Sequence, residues 1–108
     1  MVDTYKTLGQ DTPGAVLTTL YTVPAATSVV VAALVVGNIS ASAVTFRVAI
    51  RPGGAAIANK LYQYYGTTVP ANDSLEVLKG ITLAATDVVS VYGSDANVTF
   101  SLYGDEIT

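Results

Sequence analysis

A chain of 108 residues, of which 51% are hydrophobic and 12% charged, is long enough for one domain with a single two-layer core and too short for two domains. Its formal net charge is −3 and its five cations are scattered, so we expect neither a nucleic-acid nor a membrane partner, because both need clustered cations. The chain has no cysteine and no histidine, which excludes disulfides, thiolate nucleophiles and the usual general base at neutral pH.

The first 14 residues predict an N-terminal arm or a short edge strand, followed by a single domain over residues 15–108. Residues 4–8 can extend, whereas residues 9–14 contain two glycines and a proline that interrupt a strand. The N-terminus lacks a basic segment followed by an apolar one, so we expect no signal peptide. The first strand of the domain is predicted over residues 15–23, where Pro24 ends it.

Residues 28–51 predict a long β-hairpin. Every residue from 29 to 36 is valine, alanine or leucine, and a turn of small residues follows at 37–42. The second strand, residues 44–51, alternates between apolar and polar positions, which is typical of a strand with one solvated face. The apolar run is far shorter than the roughly 18 to 20 residues that span a bilayer, so we expect a soluble protein.

The first strand of this hairpin is apolar on both faces. Strict alternation would let Val29, Val31, Ala33 and Val35 line the core. The alternate positions would then need cover from another subunit or from the chain itself, because contiguous exposed apolar surface usually marks an interaction site. These alternate positions are Val30, Ala32, Leu34 and Val36.

The remainder of the chain predicts further short strands. Residues 60–65 would place Tyr62 and Tyr64 on one face and Leu61 and Tyr65 on the other, and more strands are predicted at 75–78, 87–92 and 98–103. Seven or eight strands separated by turns, with no helical periodicity, predict an all-β fold. We expect an antiparallel β-sandwich, arranged like a jelly roll.

The carboxylates do not predict chemistry, because most of them lie in turns or at strand ends. Asp95 with Asn97, or Asp105 with Glu106, could supply oxygen ligands for Ca²⁺, but nothing resembles a twelve-residue calcium loop and turn residues explain them better. We therefore expect no enzyme, no cofactor and no metal site. The candidate interface residues are Val30, Leu34 and Val36 on the hairpin and Tyr62 and Tyr64 on the following strand.

Four segments of the chain resemble small virion proteins of tailed bacteriophages. They are residues 4–10 (TYKTLGQ), 20–25 (LYTVPA), 46–54 (FRVAIRPGG) and 80–89 (GITLAATDVV). The resemblance implies a homo-oligomer in the virion, bound to the major capsid protein or to other virion proteins, and it brings no catalytic or ligand-binding positions. A capsid decoration or cement protein is the expected role. A tail, baseplate or fibre component is the alternative, and a carbohydrate-binding module that uses Tyr62 and Tyr64 is a third possibility.

Overall fold

The computed structural model describes residues 2–108, which form nine β-strands and two short 3₁₀ helices. The 3₁₀ helices, Pro52–Gly54 and Asn59–Leu61, lie in the connection between the fourth and fifth strands. No helix among these residues is long and apolar enough to cross a membrane. The strands are β1 (Asp3–Asp11), β2 (Thr18–Thr22), β3 (Ser28–Asn38), β4 (Val44–Arg51), β5 (Tyr62–Val69), β6 (Ser74–Val77), β7 (Thr82–Leu83), β8 (Val88–Gly93) and β9 (Val98–Ile107).

The strands form two antiparallel sheets packed face to face, so the chain is an antiparallel β-sandwich, as the sequence predicts. The first sheet has the order β1-β9-β3-β6, with β7 also paired to β3, and the second has the order β2-β8-β4-β5. This order is compatible with the expected jelly-roll arrangement. The fold has one strand more than the seven or eight predicted. The short strand β7 spans only two residues, so an alternating pattern is not visible there in the sequence.

The N-terminal segment is an edge strand and not a free arm. Strand β1 pairs with β9 along its whole length, from Asp3 opposite Ile107 to Asp11 opposite Phe100. Met1, which belongs to the segment predicted as an arm or edge strand, lies outside the described residues. The pairing brings the beginning and the end of the chain together at one side of the first sheet.

The core lies between the sheets and consists mainly of valine with a few larger side chains. Phe46 from the second sheet meets Phe100 from the first, with ring centroids 6.3 Å apart and an interplanar angle of 71°. Leu34 and Leu102 are also fully buried. Each such side chain contributes on the order of 1.5–3 kcal/mol relative to an exposed one, so these contacts hold the two sheets together.

A β-bulge in β3 corrects the predicted face of two candidate residues. Val31 pairs with Gly104 and Ala33 with Tyr103, so Ala32 is an extra residue that reverses the alternation of the strand. Beyond the bulge, Leu34 and Val36 point into the core with 0% exposure. The expectation that these two residues share an outer face with Val30 is therefore wrong, and neither can serve as a surface contact in this fold.

The bulge also requires a glycine on the neighbouring strand. A Cβ atom at position 104 would lie 2.6 Å from the carbonyl oxygen of Val30 and 3.2 Å from the Cα of Val31. Both atoms belong to the main chain and cannot move aside as a flexible side chain could. Gly104 is thus the residue that allows β3 and β9 to approach each other at the bulge.

Candidate functional site

The outer face of the first sheet exposes three large side chains on three adjacent strands. Tyr5 of β1 is 81% exposed, Val30 of β3 is 39% exposed and Tyr103 of β9 is 38% exposed. Their strands lie side by side in the order β1-β9-β3. Large exposed side chains that adjoin on one face are typical of an interaction site.

These side chains surround an open groove of about 600 Å³. Strand pairing explains the arrangement, because Asp105 of β9 lies opposite Tyr5 on one side and opposite Val30 on the other. Tyr103 lies two residues before Asp105 on the same face of β9. The full lining is Tyr5, Lys6, Thr7, Val30, Ala32, Tyr103, Gly104 and Asp105.

One oxygen atom of the Asp105 carboxyl group lacks a hydrogen-bond partner in this groove. This atom, Oδ1, is buried and makes no hydrogen bond to any of the described residues. Removal from water raises the pKa of Asp105, and the nearby carboxylate of Asp3 raises it further, while the backbone N–H of Thr4 acts in the opposite direction. An acid held in this way favours a ligand that brings a positive charge or a hydrogen-bond donor.

Lys6 is the only cationic residue among the described residues that line the groove, and it pairs with a different carboxylate. Because β-strand side chains alternate, Lys6 and Glu106 point to the inner side of the sheet while Tyr5 and Asp105 point to the outer side. The Lys6 Nζ atom lies 2.9 Å from Glu106 Oε1, and the hydroxyl of Tyr21, on β2 of the other sheet, donates a hydrogen bond to Glu106 Oε2. The Lys6 ammonium group is therefore paired with Glu106 and does not neutralise Asp105.

Contacts within the cluster of Lys6, Glu106 and Tyr21 shift the pKa of two of its groups. The Tyr21 hydroxyl and then the Lys6 ammonium lower the pKa of Glu106. Burial, together with the hydrogen bond to Glu106 and its charge, raises the pKa of the Tyr21 phenol. The cluster links the two sheets at the side where β1 faces β2, so its role is structural.

The outer face of the second sheet carries a separate aromatic cluster. The rings of Tyr62 and Tyr65 meet edge to face with centroids 5.0 Å apart, and with Asn59 they line an open pocket of about 440 Å³. The guanidinium of Arg47 lies 4.2 Å from the centre of the Tyr65 ring and 4.3 Å from that of Tyr92. Such cation–π contacts fix the orientation of the rings.

The structure corrects the predicted faces of the tyrosines in β5. Tyr64 packs on the core, with its ring centroid 5.8 Å from that of Phe46. Tyr65, predicted to share a face with Leu61, is 62% exposed, whereas Leu61 is buried. The reason is a bulge: Val48 pairs with Tyr64 and Ala49 with Tyr62, so the extra residue between the two tyrosines moves Tyr62 to the face of Tyr65.

Of the five candidate interface residues, Val30 and Tyr62 lie on outer faces and do so on different sheets. Leu34 and Val36 are fully buried, and Tyr64 is half-buried against the core. The sequence analysis named none of Tyr5, Tyr103 and Asp105 as interface residues, although they dominate the groove, and it weighed Asp105 only as an oxygen ligand for Ca²⁺. Alternation along residues 98–103 already places Tyr103 on the outer side, and extending it by two residues would have placed Asp105 beside it.

The acidic side chains of the described residues do not cluster. Within residues 2–108, no three acidic side chains come close enough together to hold a metal ion. What the first sheet offers is an apolar groove with one desolvated carboxyl, which is suited to binding. Comparison of the chain with known protein families, with curated proteins and with solved structures finds no significant match.

Proposed function

We propose that this chain is a non-enzymatic structural protein of a bacteriophage virion, a capsid decoration or cement protein that binds neighbouring virion proteins and stabilises the particle. The observation that carries the proposal is the exposed outer face of the first sheet, where Tyr5, Val30 and Tyr103 adjoin. The sequence resemblance to small virion proteins supports the same role. A sandwich with a rigid core and one apolar outer face is suited to clamping adjacent subunits.

The energetics favour assembly through this face. Apolar surface removed from water contributes about 25 cal/mol per Å², and aromatic side chains such as Tyr5 and Tyr103 are the residues that most often dominate protein interfaces. Both side chains extend from paired strands, so little of the main chain has to be ordered on binding. A preformed surface of this kind supports repeated contacts in a symmetric particle.

The proposal is tested by measuring the copy number of the protein in purified particles by quantitative mass spectrometry. A decoration protein would be present in hundreds of copies per particle, as the symmetry of a capsid requires. A few or a few dozen copies would assign the protein to the tail, baseplate or fibre, which is the alternative role. Its absence from particles would overturn the proposal in both forms.

A matched pair of variants tests the face itself. Val30→Lys introduces a cation into the groove, where it pairs with Asp105, so we expect the variant to fold and to lose association with particles. Ile39→Lys is the control, because Ile39 is a 66% exposed apolar residue in the turn between β3 and β4. Equal association of the two variants would show that the outer face of the first sheet is not the contact.

A second candidate function rests on the aromatic cluster of the other sheet. Tyr62 and Tyr65 present rings at an open pocket that Asn59 completes with an amide, and aromatic rings with a nearby amide suit the apolar face and the hydroxyls of a sugar. This modifies the expected carbohydrate site, since Tyr65 takes the place of Tyr64. A glycan array with wild type and Tyr65→Ala tests it, with Tyr64→Phe as the control that leaves the surface unchanged.

A further inference from the structure

The groove on the first sheet combines an apolar wall with an unpaired acid, and this combination restricts what can fill it. Asp3 and Asp105 both lie on the outer side of the β1–β9 pair, and neither forms an ion pair with any cation among residues 2–108. A purely apolar partner would leave the Asp105 carboxylate desolvated and without a counter-charge, which is unfavourable. The occupant must therefore compensate negative charge.

A second copy of the same face is a poor occupant for the same reason. It would bring another Asp3 and another Asp105 into one apolar contact, and like charges in a desolvated interface repel each other. A cationic group has the opposite property, because the carboxylate can accept a charge-assisted hydrogen bond from it. The tyrosine rings on either side add a favourable interaction, since aromatic faces attract cations.

We propose that the groove receives a lysine or arginine side chain of another protein of the particle. This inference rests on the proposed function, because it assumes that the outer face of the first sheet is the contact with that protein. Asp105 binds the cationic head group, while Tyr5 and Tyr103 flank it and Val30 with Ala32 contacts the aliphatic stem. The partner is thus defined by a basic side chain projecting from an apolar surface.

The inference is tested with a small probe and without a particle. The ¹⁵N-labelled protein is titrated with N-acetyl-arginine amide and, separately, with N-acetyl-citrulline amide, which has nearly the same shape but no charge. We expect saturable chemical-shift changes for the amides of Tyr5, Val30 and Asp105 with the arginine probe. The citrulline probe should produce no comparable change.

Three variants test whether the arginine probe binds to the carboxylate of Asp105 in particular. Asp105→Asn should weaken binding of the arginine probe by about tenfold or more, because hydrogen bonds to charged groups are the strong ones. Asp95→Asn removes the same charge from an exposed turn and should leave the affinity unchanged. Tyr103→Leu keeps the groove apolar but removes one aromatic face, so it should weaken binding while the acid remains.

Three results would overturn the inference: equal shifts with both probes, an unchanged affinity in Asp105→Asn, or shifts spread evenly over the surface carboxylates. Self-association of Asp105→Asn at concentrations where the wild type is a monomer would also overturn it, and would identify a second copy as the occupant. The outcome is independent of the copy-number experiment. Probe binding by a protein that particles lack would refute the proposed function alone, and particle association without probe binding would refute this inference alone.

Discussion

Asp105 carries an oxygen atom, Oδ1, that is buried and accepts no hydrogen bond among the described residues. Desolvation and then the charge of Asp3 raise the pKa of its carboxyl group in the folded state. A raised folded pKa means that the stabilising contribution is complete below the unfolded pKa, about 3.9 for aspartate, and is lost as the pH rises through the folded value. At neutral pH the charged carboxylate therefore destabilises the fold.

The first prediction follows from the raised pKa of Asp105 in the folded state. Asp105→Asn keeps the shape of the side chain and removes the charge, so it should unfold at a higher urea concentration than the wild type at pH 7. The difference should diminish at pH 3, where the wild-type carboxyl is also neutral. Asp95→Asn is the control and should show no such pH-dependent gain. A variant that is less stable than the wild type at pH 7 would contradict the burial of this charge.

The second prediction at this scale concerns the two sides of β3. Leu34→Ala should lower the free energy of unfolding by about 2–5 kcal/mol, because it leaves a cavity in a packed interior. Val30→Ala, on the outer face, should change it by no more than about 0.5 kcal/mol. Urea unfolding of the two variants measures both effects. Similar, small losses in both variants would instead indicate the regular alternation, in which Val30 and Leu34 share one outer face, and would contradict the bulge.

At the scale of elements, the sequence predicts a strand well where its two faces differ. The alternation in β4 and at the beginning of β9 indicates the correct inner faces, since Phe46, Val48, Phe100 and Leu102 are all buried. Strand β3 is apolar on both faces, so a shift of one residue in its alternation would still place apolar side chains in the core. The sequence alone therefore cannot reveal such a shift. Which side chains of β3 point into the core is decided by the bulge, and the bulge depends on pairing with β9, a strand far away in the sequence.

The burial of the tyrosines in β5 could not be predicted for a similar reason. Tyr62, Tyr64 and Tyr65 are chemically alike, so their order along β5 does not show which ring is buried until the bulge is known. The groove is also non-local, because it joins residues of β1, β3 and β9 that are separated by most of the chain. Composition and alternation predict the sandwich, whereas the neighbours within each sheet come only from the structure.

The third prediction tests the bulge as an element. Gly104→Ala should destabilise the protein by about 1–3 kcal/mol, the usual cost of overpacking, because the new Cβ would collide with the main chain of β3. Gly37→Ala is a matched control: its Cβ would lie 2.6 Å from the Thr99 hydroxyl oxygen, a side-chain atom that can rotate away. Thermal unfolding should rank Gly104→Ala clearly below Gly37→Ala. Equal losses would indicate that β3 can move away from β9.

At the scale of the whole molecule, the two outer faces of the sandwich differ in charge. The first sheet presents Asp3 and Asp105 next to its groove, while the second presents Arg47 between the rings of Tyr65 and Tyr92. Because the core holds the two sheets in a fixed relation, both faces keep their orientation. A protein with such a difference has one preferred way to lie on an anionic or cationic surface.

The sheets are also joined by a polar contact that gives the whole fold a dependence on pH. Glu106 of the first sheet accepts a hydrogen bond from Tyr21 of the second and pairs with Lys6 at 2.9 Å. These contacts lower the pKa of Glu106 in the folded state. A lowered pKa contributes stability that is present above the unfolded value, about 4.3 for glutamate, and is lost as the pH falls through the folded value. Asp105 opposes this trend, since its folded pKa is raised.

The fourth prediction is that Glu106→Gln is less stable than the wild type at pH 7 and that the difference decreases as the pH falls below about 4.3. The Asp105→Asn variant should instead lose stability more steeply than the wild type on acidification, because the opposing contribution has been removed. Urea midpoints measured from pH 7 to pH 2.5 for the three proteins compare the slopes directly. A difference between Glu106→Gln and the wild type that stays constant over this range would mean that the carboxylate charge of Glu106 does not link the two sheets, and that the apolar core alone joins them.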